Sequence, residues 1–263
     1  MKTVLITGAY GGMGRAASLK YKSLGYRVIA LDIKASEPEE NIYPIEVDLR
    51  EERSVKEAYE RVKAISETID IILHFAGVYM LDSLVEMDSE RFKKIFEINL
   101  YGAYLVNKTF LPLLGSGSRI VITTSELAPL DPLPFTGIYA VSKAALDKYA
   151  YSLRMELQLL GIQVSVLRAG AVDTGMIGDS TRDLDRFCET TELYKCNSER
   201  FKRIVDGVEA RRISTSKLAD KVARITSKKK QKFAYRINPN PLLLILNALP
   251  KRLQFFIIKK ILK

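Results

Sequence analysis

The chain has 263 residues, 47% of them hydrophobic, and its Lys and Arg residues outnumber Asp and Glu by ten. This length and composition fit one folded α/β domain with a single core, and they exclude a disordered or low-complexity chain. Two cysteines and a single histidine exclude a disulfide framework and form no recognisable zinc pattern, so we expect a reducing, cytoplasmic location and no metal.

The first predicted element is a buried strand that leads into a glycine-rich turn. Residues 2–7 are β-branched and aliphatic, which predicts a strand and not the basic-then-apolar leader of a secretory signal. Residues 8–14 are Gly-Ala-Tyr-Gly-Gly-Met-Gly, and a helical pattern follows to about residue 24. Strand, glycine turn and helix are the context of a dinucleotide fingerprint, in which backbone N–H groups approach a pyrophosphate at the positive end of the helix. The alternative is a glycine turn without a ligand.

The second predicted strand, residues 26–32, ends on a carboxylate. Asp32 follows Gly14 by eighteen residues, close to the roughly 20-residue offset of the acidic residue that binds the ribose 2′-hydroxyl. A carboxylate there accepts that hydrogen bond and repels a 2′-phosphate, which favours NAD over NADP. Arg15 and Lys34 lie close by in the sequence and keep NADP open as the alternative.

Beyond this point, strands continue to alternate with helices. Further strands are predicted at residues 43–48, 70–74, 118–124, 163–168 and 232–237, and helices at 54–66, 89–114, 137–160 and 214–227. This alternation predicts a Rossmann-type, doubly wound α/β fold with a mostly parallel seven-stranded sheet and helices on both faces. Ligands on such sheets lie beyond the carboxyl ends of the strands. Those ends are Gly8, Asp32, Asp48, Gly77, Ser125 and Gly170.

Tyr139 and Lys143 lie four residues apart within the predicted helix 137–160. This spacing places both side chains on one face of a helix. An ammonium beside a phenol favours the phenolate, so we expect the pKa of Tyr139 to fall below its usual value of about 10. A tyrosine tuned in this way can exchange a proton with an alcohol oxygen. Taken alone, the pair is also compatible with an ordinary helix face.

Five features follow one another in an order that is typical of one enzyme family. They are Thr7-Gly8-x-x-x-Gly12-x-Gly14, Asp48, Asn99-Leu-Tyr-Gly102, Tyr139-x-x-x-Lys143 and the pair Val172 and Thr174. With them the chain resembles the short-chain dehydrogenase/reductase superfamily over nearly its whole length, and in particular its hydroxysteroid and retinol dehydrogenase-like members. It departs from the family pattern at His74 and Ala169, where the family usually has Asn and Pro, and we expect a structural role for His74.

The resemblance implies a role for each conserved-type position. Tyr139 would be the acid/base on the substrate oxygen, and Lys143 would lower the Tyr139 pKa and bind the nicotinamide ribose. Ser125 would bind the same substrate oxygen, and Asn99 would hold a water that connects Lys143 to solvent. The implied cofactor contacts are Gly8, Gly12, Met13, Gly14, Asp32, Asp48, Leu49, Ala76, Gly77, Tyr139, Lys143, Val172 and Thr174.

The C-terminal third is basic, with nineteen Lys and Arg against four Asp and Glu in residues 195–263. This charge could attract an anionic substrate or an acidic membrane surface, or could simply be solvated. It carries no recognised nucleic-acid-binding motif, so we expect no nucleic-acid partner. Residues 1–237 are expected to form the catalytic domain, with mobile loops at 176–209 as a substrate lid. Residues 238–263 are expected to form two short helices hinged at Pro250 that roof the pocket, pack on another subunit, or contact a membrane peripherally.

The sequence therefore predicts an NAD(P)-dependent oxidoreductase that transfers hydride between nicotinamide and a secondary alcohol or ketone. The tail resembles those of family members that act on bulky apolar compounds, so a steroid, bile acid, retinoid or lipid-like substrate is expected. The alternatives are a 3-oxoacyl-thioester reductase and a non-catalytic NAD(H)-binding sensor. A homodimer or homotetramer is expected from the resemblance alone.

Overall fold

The computed structural model describes residues 1–209 and 211–263, with the side chains of residues 176–181, 208 and 209 outside the description. Its strands are β1 (Thr3–Thr7), β2 (Arg27–Asp32), β3 (Ile42–Glu46), β4 (Ile69–His74), β5 (Leu114–Thr123), β6 (Gln163–Ala169) and β7 (Ala234–Ile237). They form one sheet in the order β3-β2-β1-β4-β5-β6-β7, and every neighbouring pair is parallel. The predicted fold class is confirmed.

Helices cover both faces of this sheet. They are α1 (Gly12–Ser23), α2 (Glu52–Ile65), α3 (Ser89–Phe96), α4 (Gly102–Phe110), α5 (Gly137–Leu157), α6 (Gly175–Thr190), α7 (Lys195–Glu209), α8 (Thr215–Thr226), α9 (Pro241–Ala248) and α10 (Lys251–Leu262). Helices α1 and α8 bury apolar residues against one face, and α2, α4 and α5 do so against the other. The central strand β1 is therefore buried at all five positions, which explains its continuous apolar sequence.

The helix predicted over residues 89–114 is interrupted at its centre. Between α3 and α4, residues Glu97–Tyr101 form a π-helical turn, and a 3-10 turn at Leu111–Leu113 leads directly into β5. The π turn contains Asn99, whose side-chain amide is hydrogen-bonded outside the helix to Val78. Such π turns inside α-helices are frequent at functional sites.

The lid predicted as loops over residues 176–209 is wrong in its secondary structure, because α6 and α7 occupy most of it. Leu184 and Phe187 share one face of α6 and are buried with Phe201 of α7. Apolar residues at helical spacing thus lie within a segment that is polar on average. The side chains of 176–181 and 208–209 in this predicted lid lie outside the described residues.

Ion pairs connect the lid to the loops beside the sheet. The Asp82 carboxylate, 4% exposed, accepts hydrogen bonds from Arg186 of α6 and Arg91 of α3 at N–O distances of 2.6 and 3.3 Å. Arg91 also pairs with Asp183 of α6 at 2.6 Å. Because Asp82 and Asp183 are largely buried, these pairs are shielded from solvent and fix α6 in place.

The predicted pair of helices after residue 238 is confirmed, and the break between them lies at Leu249 and Pro250. Asn240 caps α9 by accepting the N–H of Leu242 at 3.0 Å. At the far end, Leu262 packs into the apolar cluster of α6 and α7. The extension therefore lies against the lid. Among the described residues, no helix combines the length and apolar character needed to cross a membrane.

Candidate active site

Two adjoining cavities lie at the carboxyl edge of the sheet. One is a groove that follows the ends of β1, β2 and β4, and the other is a mostly apolar cavity beyond β5 and β6. The groove is lined by Gly8, Gly12, Met13, Gly14, Asp32, Asp48, Leu49, Ala76, Gly77 and Thr174. The apolar cavity is lined by Ser125, Tyr139, Lys143 and Val172, and it shares Met13, Gly77 and Thr174 with the groove. Of the site residues predicted from sequence, only Asn99 lines neither cavity.

The glycine turn between β1 and α1 is shaped by two close backbone approaches. Gly8 has a φ of +64°, and a Cβ there would lie 2.6 Å from the backbone nitrogen of Ala76. A Cβ on Gly14 would lie only 2.0 Å from the carbonyl oxygen of Gly8. Side chains at either position would therefore separate the turn from the first residue of α1 or from the loop after β4. The turn leaves the N-terminus of α1 facing the groove, where its N–H groups can hold an anion.

Asp32 at the end of β2 reinforces the same turn. Its Oδ2 accepts the backbone N–H of Tyr10 at 2.8 Å, and its Oδ1 accepts that of Ile33 at 2.8 Å. Carboxylate oxygens have further lone pairs, so a ribose hydroxyl can still be bound. Arg15, one of the two cations that kept NADP open, is paired with Glu39 at 2.6 Å.

Asp48 follows β3 and is held by its own neighbour. The Arg50 guanidinium binds both carboxylate oxygens, at 2.6 Å from Nη2 and 3.0 Å from Nε, and the backbone N–H of Arg50 donates to Oδ1 at 2.9 Å. These hydrogen bonds from Arg50 lower the pKa of Asp48. The carboxylate is thus ionised and fixed at the wall of the groove.

Tyr139 and Ser125 meet inside the apolar cavity. Tyr139 lies in the first turn of α5 and Ser125 follows β5, and they are 8% and 4% exposed. Their side chains are hydrogen-bonded to each other, while the Ser125 Oγ also accepts the N–H of Leu127 at 3.2 Å. The Tyr139 ring packs edge-on against Tyr79, with centroids 4.4 Å apart. Packing and hydrogen bonding therefore fix the direction of the phenol hydroxyl.

The expected downward shift of the Tyr139 pKa is wrong for the protein itself. Burial raises the pKa of Tyr139 to about 12, the nearby Glu126 carboxylate also raises it, and the hydrogen bond from Ser125 lowers it. Lys143 does not offset burial, because its Nζ lies 5.8 Å from the centre of the phenol ring. Burial also lowers the pKa of the Lys143 ammonium to about 8. Both groups share one cause, the cost of charge in an apolar environment.

Asn99 positions the strand-end loop beside Lys143. Its Oδ1 accepts the Val78 N–H at 2.8 Å, and its Nδ2 donates to the Val78 carbonyl and to Ser142 Oγ, both at 3.0 Å. A Cβ on Gly77 would lie 3.0 Å from this Oδ1 and 3.2 Å from Lys143 Nζ. The side-chain amide thus acts as a structural clamp, and the expected water relay stays a prediction.

His74 is fully enclosed at the end of β4. Its Nε2 donates to Asn107 Oδ1 at 3.0 Å, and the Asn107 amide in turn donates to Tyr149 at 3.2 Å. Burial lowers the pKa of His74 to about 4, so the imidazole is neutral at physiological pH. It lines neither cavity, in agreement with the structural role expected from sequence.

Two residues of the apolar cavity were not singled out from sequence. Glu126 directly follows Ser125, and an acidic residue beside a predicted strand end was a usable signal. Leu243 of α9 also lines the cavity, although it lies more than a hundred residues from Tyr139. No local pattern indicates that contact.

Comparison with known proteins gives three findings. The sequence profile described as "short chain dehydrogenase" matches residues 2–185. The NADPH-dependent 1-acyldihydroxyacetone phosphate reductase of Schizosaccharomyces pombe is 30% identical over 179 residues, which cover 66% of this chain and 60% of that protein. The 3-ketodihydrosphingosine reductase of Bacteroides thetaiotaomicron is 24% identical over 237 residues, 90% of this chain and 87% of that protein.

Solved structures share the fold. The aldohexose dehydrogenase of Thermoplasma acidophilum superposes with a TM-score of 0.76 at 20% identity, over 95% of this chain and 96% of that one. The chain thus spans less than two thirds of the length of the Schizosaccharomyces pombe relative but nearly the whole of this structural neighbour.

Proposed function

Because this chain belongs to the short-chain dehydrogenase family, whose members bind NAD(P), we propose that it transfers hydride between NAD(P) and a secondary alcohol or ketone. The observation that carries the proposal is the meeting of Ser125, Tyr139 and Lys143 in an apolar cavity that opens onto the glycine-turn groove. A substrate carbonyl in the cavity would face the phenol and the serine hydroxyl while a nucleotide filled the groove. The reacting groups would then share one dry pocket.

Tyr139 would act as the proton donor when a ketone is reduced. With a pKa of about 12, the phenol is protonated at neutral pH and can donate its proton to the developing alkoxide. Ser125 would stabilise the same oxygen, a role worth roughly 2.7–4 kcal/mol for one such donor in other enzymes. Proton transfer in the opposite direction needs the phenolate, so alcohol oxidation would be favoured at alkaline pH.

The groove fits a dinucleotide cofactor, which would supply or accept the hydride when bound. The absence of side chains at Gly8 and Gly14 leaves backbone where a Cβ would collide, so the N-terminus of α1 can approach a pyrophosphate closely. We propose that Asp32 binds the adenosine ribose, that Asp48 and Leu49 flank the adenine, and that Lys143 binds the second ribose. The nicotinamide end would lie near residues shared by both cavities or next to them, namely Met13, Ala76, Gly77, Val172 and Thr174.

We expect NADH to bind more tightly than NADPH. The Asp32 carboxylate accepts a ribose hydroxyl but repels a phosphate, and Arg15 is already paired with Glu39. Asp32→Asn should remove the repulsion and lower the preference for NADH about tenfold or more. Calorimetric titration of both nucleotides into each protein measures the ratio, with Glu60→Gln as a surface control. Tighter binding of NADPH to the unmodified chain would contradict this prediction.

The apolar cavity favours a bulky hydrophobic substrate. Its outer wall is formed by Leu127, Leu133, Phe201, Ile204, Val205 and Leu243. Both relatives named above are reductases of lipid-like ketones, by their names. A steroid, bile acid, retinoid or long-chain lipid ketone is therefore the proposed substrate class.

The C-terminal extension is proposed to roof this cavity, because Leu243 lines it and Leu262 packs on the lid. Its outer surface combines exposed Leu242, Phe255 and Phe256 with Arg252, Lys259 and Lys260, which are also exposed. That surface keeps the two other expectations open as proposals, contact with a second copy of the chain and peripheral contact with an acidic membrane.

The proposed function is tested by following reduced nicotinamide absorbance with a panel of steroids, bile acids, retinoids, long-chain ketones and 3-oxoacyl thioesters. We expect turnover of a hydrophobic ketone with NADH. Preferential turnover of the thioester would instead support the acyl-carrier alternative. If calorimetry shows nucleotide binding while no compound reacts in either direction, the chain is a nucleotide sensor and the proposal fails.

A further inference from the structure

An acidic side chain faces the interior of the apolar cavity. Glu126 follows Ser125 at the end of β5, and its backbone N–H donates to the Ala169 carbonyl at 3.0 Å, which fixes the loop between β5 and β6. Among the described residues that line this cavity, Glu126 and Lys143 are the only charged ones. The remaining lining is apolar or carries neutral hydroxyls. The carboxylate is thus an exception that the proposed redox chemistry does not require.

The Glu126 carboxylate is only half satisfied. Its Oε2 accepts the backbone N–H of Asn240, at the start of α9, at 2.5 Å. Within the described part of the chain, its Oε1 has no hydrogen-bond donor and no cation is paired with it. Burial raises the pKa of this carboxyl group, as expected for a charge that the protein does not compensate. An acceptor left open inside an apolar cavity is costly unless a ligand supplies the donor.

From this geometry we propose that Glu126 selects a substrate with an ammonium group close to the reacting carbonyl, that is, a long-chain 2-amino ketone. The inference rests on the proposed function and specifies its substrate. With the carbonyl oxygen between Ser125 and Tyr139, a donor on the neighbouring carbon would point towards the adjacent residue of the same loop. An ammonium fits better than a hydroxyl, because a charged hydrogen bond to carboxylate is roughly twice as strong as a neutral one. The apolar wall would take the hydrocarbon chain.

The experiment compares two saturated ketones of equal chain length, with and without the 2-amino group, as substrates with NADH. Glu126→Gln retains an oxygen that accepts the Asn240 N–H, so it removes the charge while keeping the link to α9. Glu60→Gln, on the surface of α2 outside both cavities, is the matched control. The measured quantity is the ratio of kcat/KM for the two ketones, because any effect of the substitution on Tyr139 cancels in that ratio.

We expect the unmodified chain and the control to prefer the amino ketone by roughly ten- to hundredfold, the value of one charged hydrogen bond. Glu126→Gln should lose at least nine-tenths of that preference. If the unmodified chain shows no preference, or the variant keeps it, the inference is overturned. If the variant loses activity on both ketones equally, Glu126 acts by holding the C-terminal extension, and the substrate assignment is wrong.

Failure of the proposed function gives a different pattern. If neither ketone is reduced, calorimetric binding of the corresponding 2-amino alcohol to the NAD-saturated protein takes the place of turnover. Binding at least tenfold weaker in Glu126→Gln than in Glu60→Gln would support the ammonium site without the reaction. Equal affinities would overturn it.

Discussion

Replacing Tyr139 with phenylalanine is expected to lower kcat by about a thousandfold, within the range that one positioned acid/base contributes. The change removes the only atom that can pass a proton to the substrate oxygen from α5. It leaves the ring, which packs at 4.4 Å on Tyr79, so the cavity should keep its shape. Nucleotide affinity should stay within about threefold of the original, because the groove is built largely by other residues.

Tyr151→Phe is the matched control for this experiment. Tyr151 lies on the same helix, but its side chain is half exposed and outside both cavities. Single-turnover kinetics and nucleotide titration on the two variants separate chemistry from binding. A Tyr139→Phe protein that retained more than about a tenth of the activity would show that the proton comes from another group.

Replacing Gly14 with alanine is expected to abolish measurable nucleotide binding and to destabilise the fold. The added Cβ would lie 2.0 Å from the Gly8 carbonyl oxygen and 2.8 Å from the Ala9 Cα. Both are backbone atoms, so relief requires the turn and α1 to separate. Overpacking of this kind costs about 1–3 kcal/mol or more in stability, and the separation removes the N–H groups that would hold a pyrophosphate.

Gly11→Ala tests whether the effect depends on the position within the turn. Its Cβ would meet only the Gly8 oxygen, at 3.4 Å, which is ordinary contact. Urea unfolding should therefore give a free energy of unfolding close to that of the original chain for Gly11→Ala, and a clearly lower one for Gly14→Ala. Unchanged stability and NADH affinity in the Gly14 variant would contradict the assigned geometry of the turn.

The sheet and the groove could be predicted from the sequence because their signals are local. A continuous apolar run such as Thr3–Thr7 indicates a strand buried on both faces, and the glycines that follow it mark a turn without room for side chains. Parallel strands bring their carboxyl ends to one edge, so residues as distant as Gly8 and Ser125 could be assigned to one site before any coordinates were known.

Other parts of the site depend on contacts that no local pattern contains. The helical spacing of Tyr139 and Lys143 was read correctly, but the direction of the tyrosine pKa depends on burial by the lid and the loop after β5. The π turn around Asn99 arises from its bonds to Val78, 21 residues away. The lid helices were missed because Leu184 and Phe187 stand among many polar residues, which hide the apolar stripe in an average.

The contact between Leu243 and the cavity means that the chain encodes cofactor use and substrate choice in separate stretches. The groove is complete by residue 186 in the sequence order, whereas the outer wall needs α7 and α9. Substitutions or exchanges in these late segments can retune which compound is accepted while the proton-transfer pair remains as it is. Diversification of substrate within such a scaffold can therefore proceed from its C-terminal end without rebuilding its redox machinery.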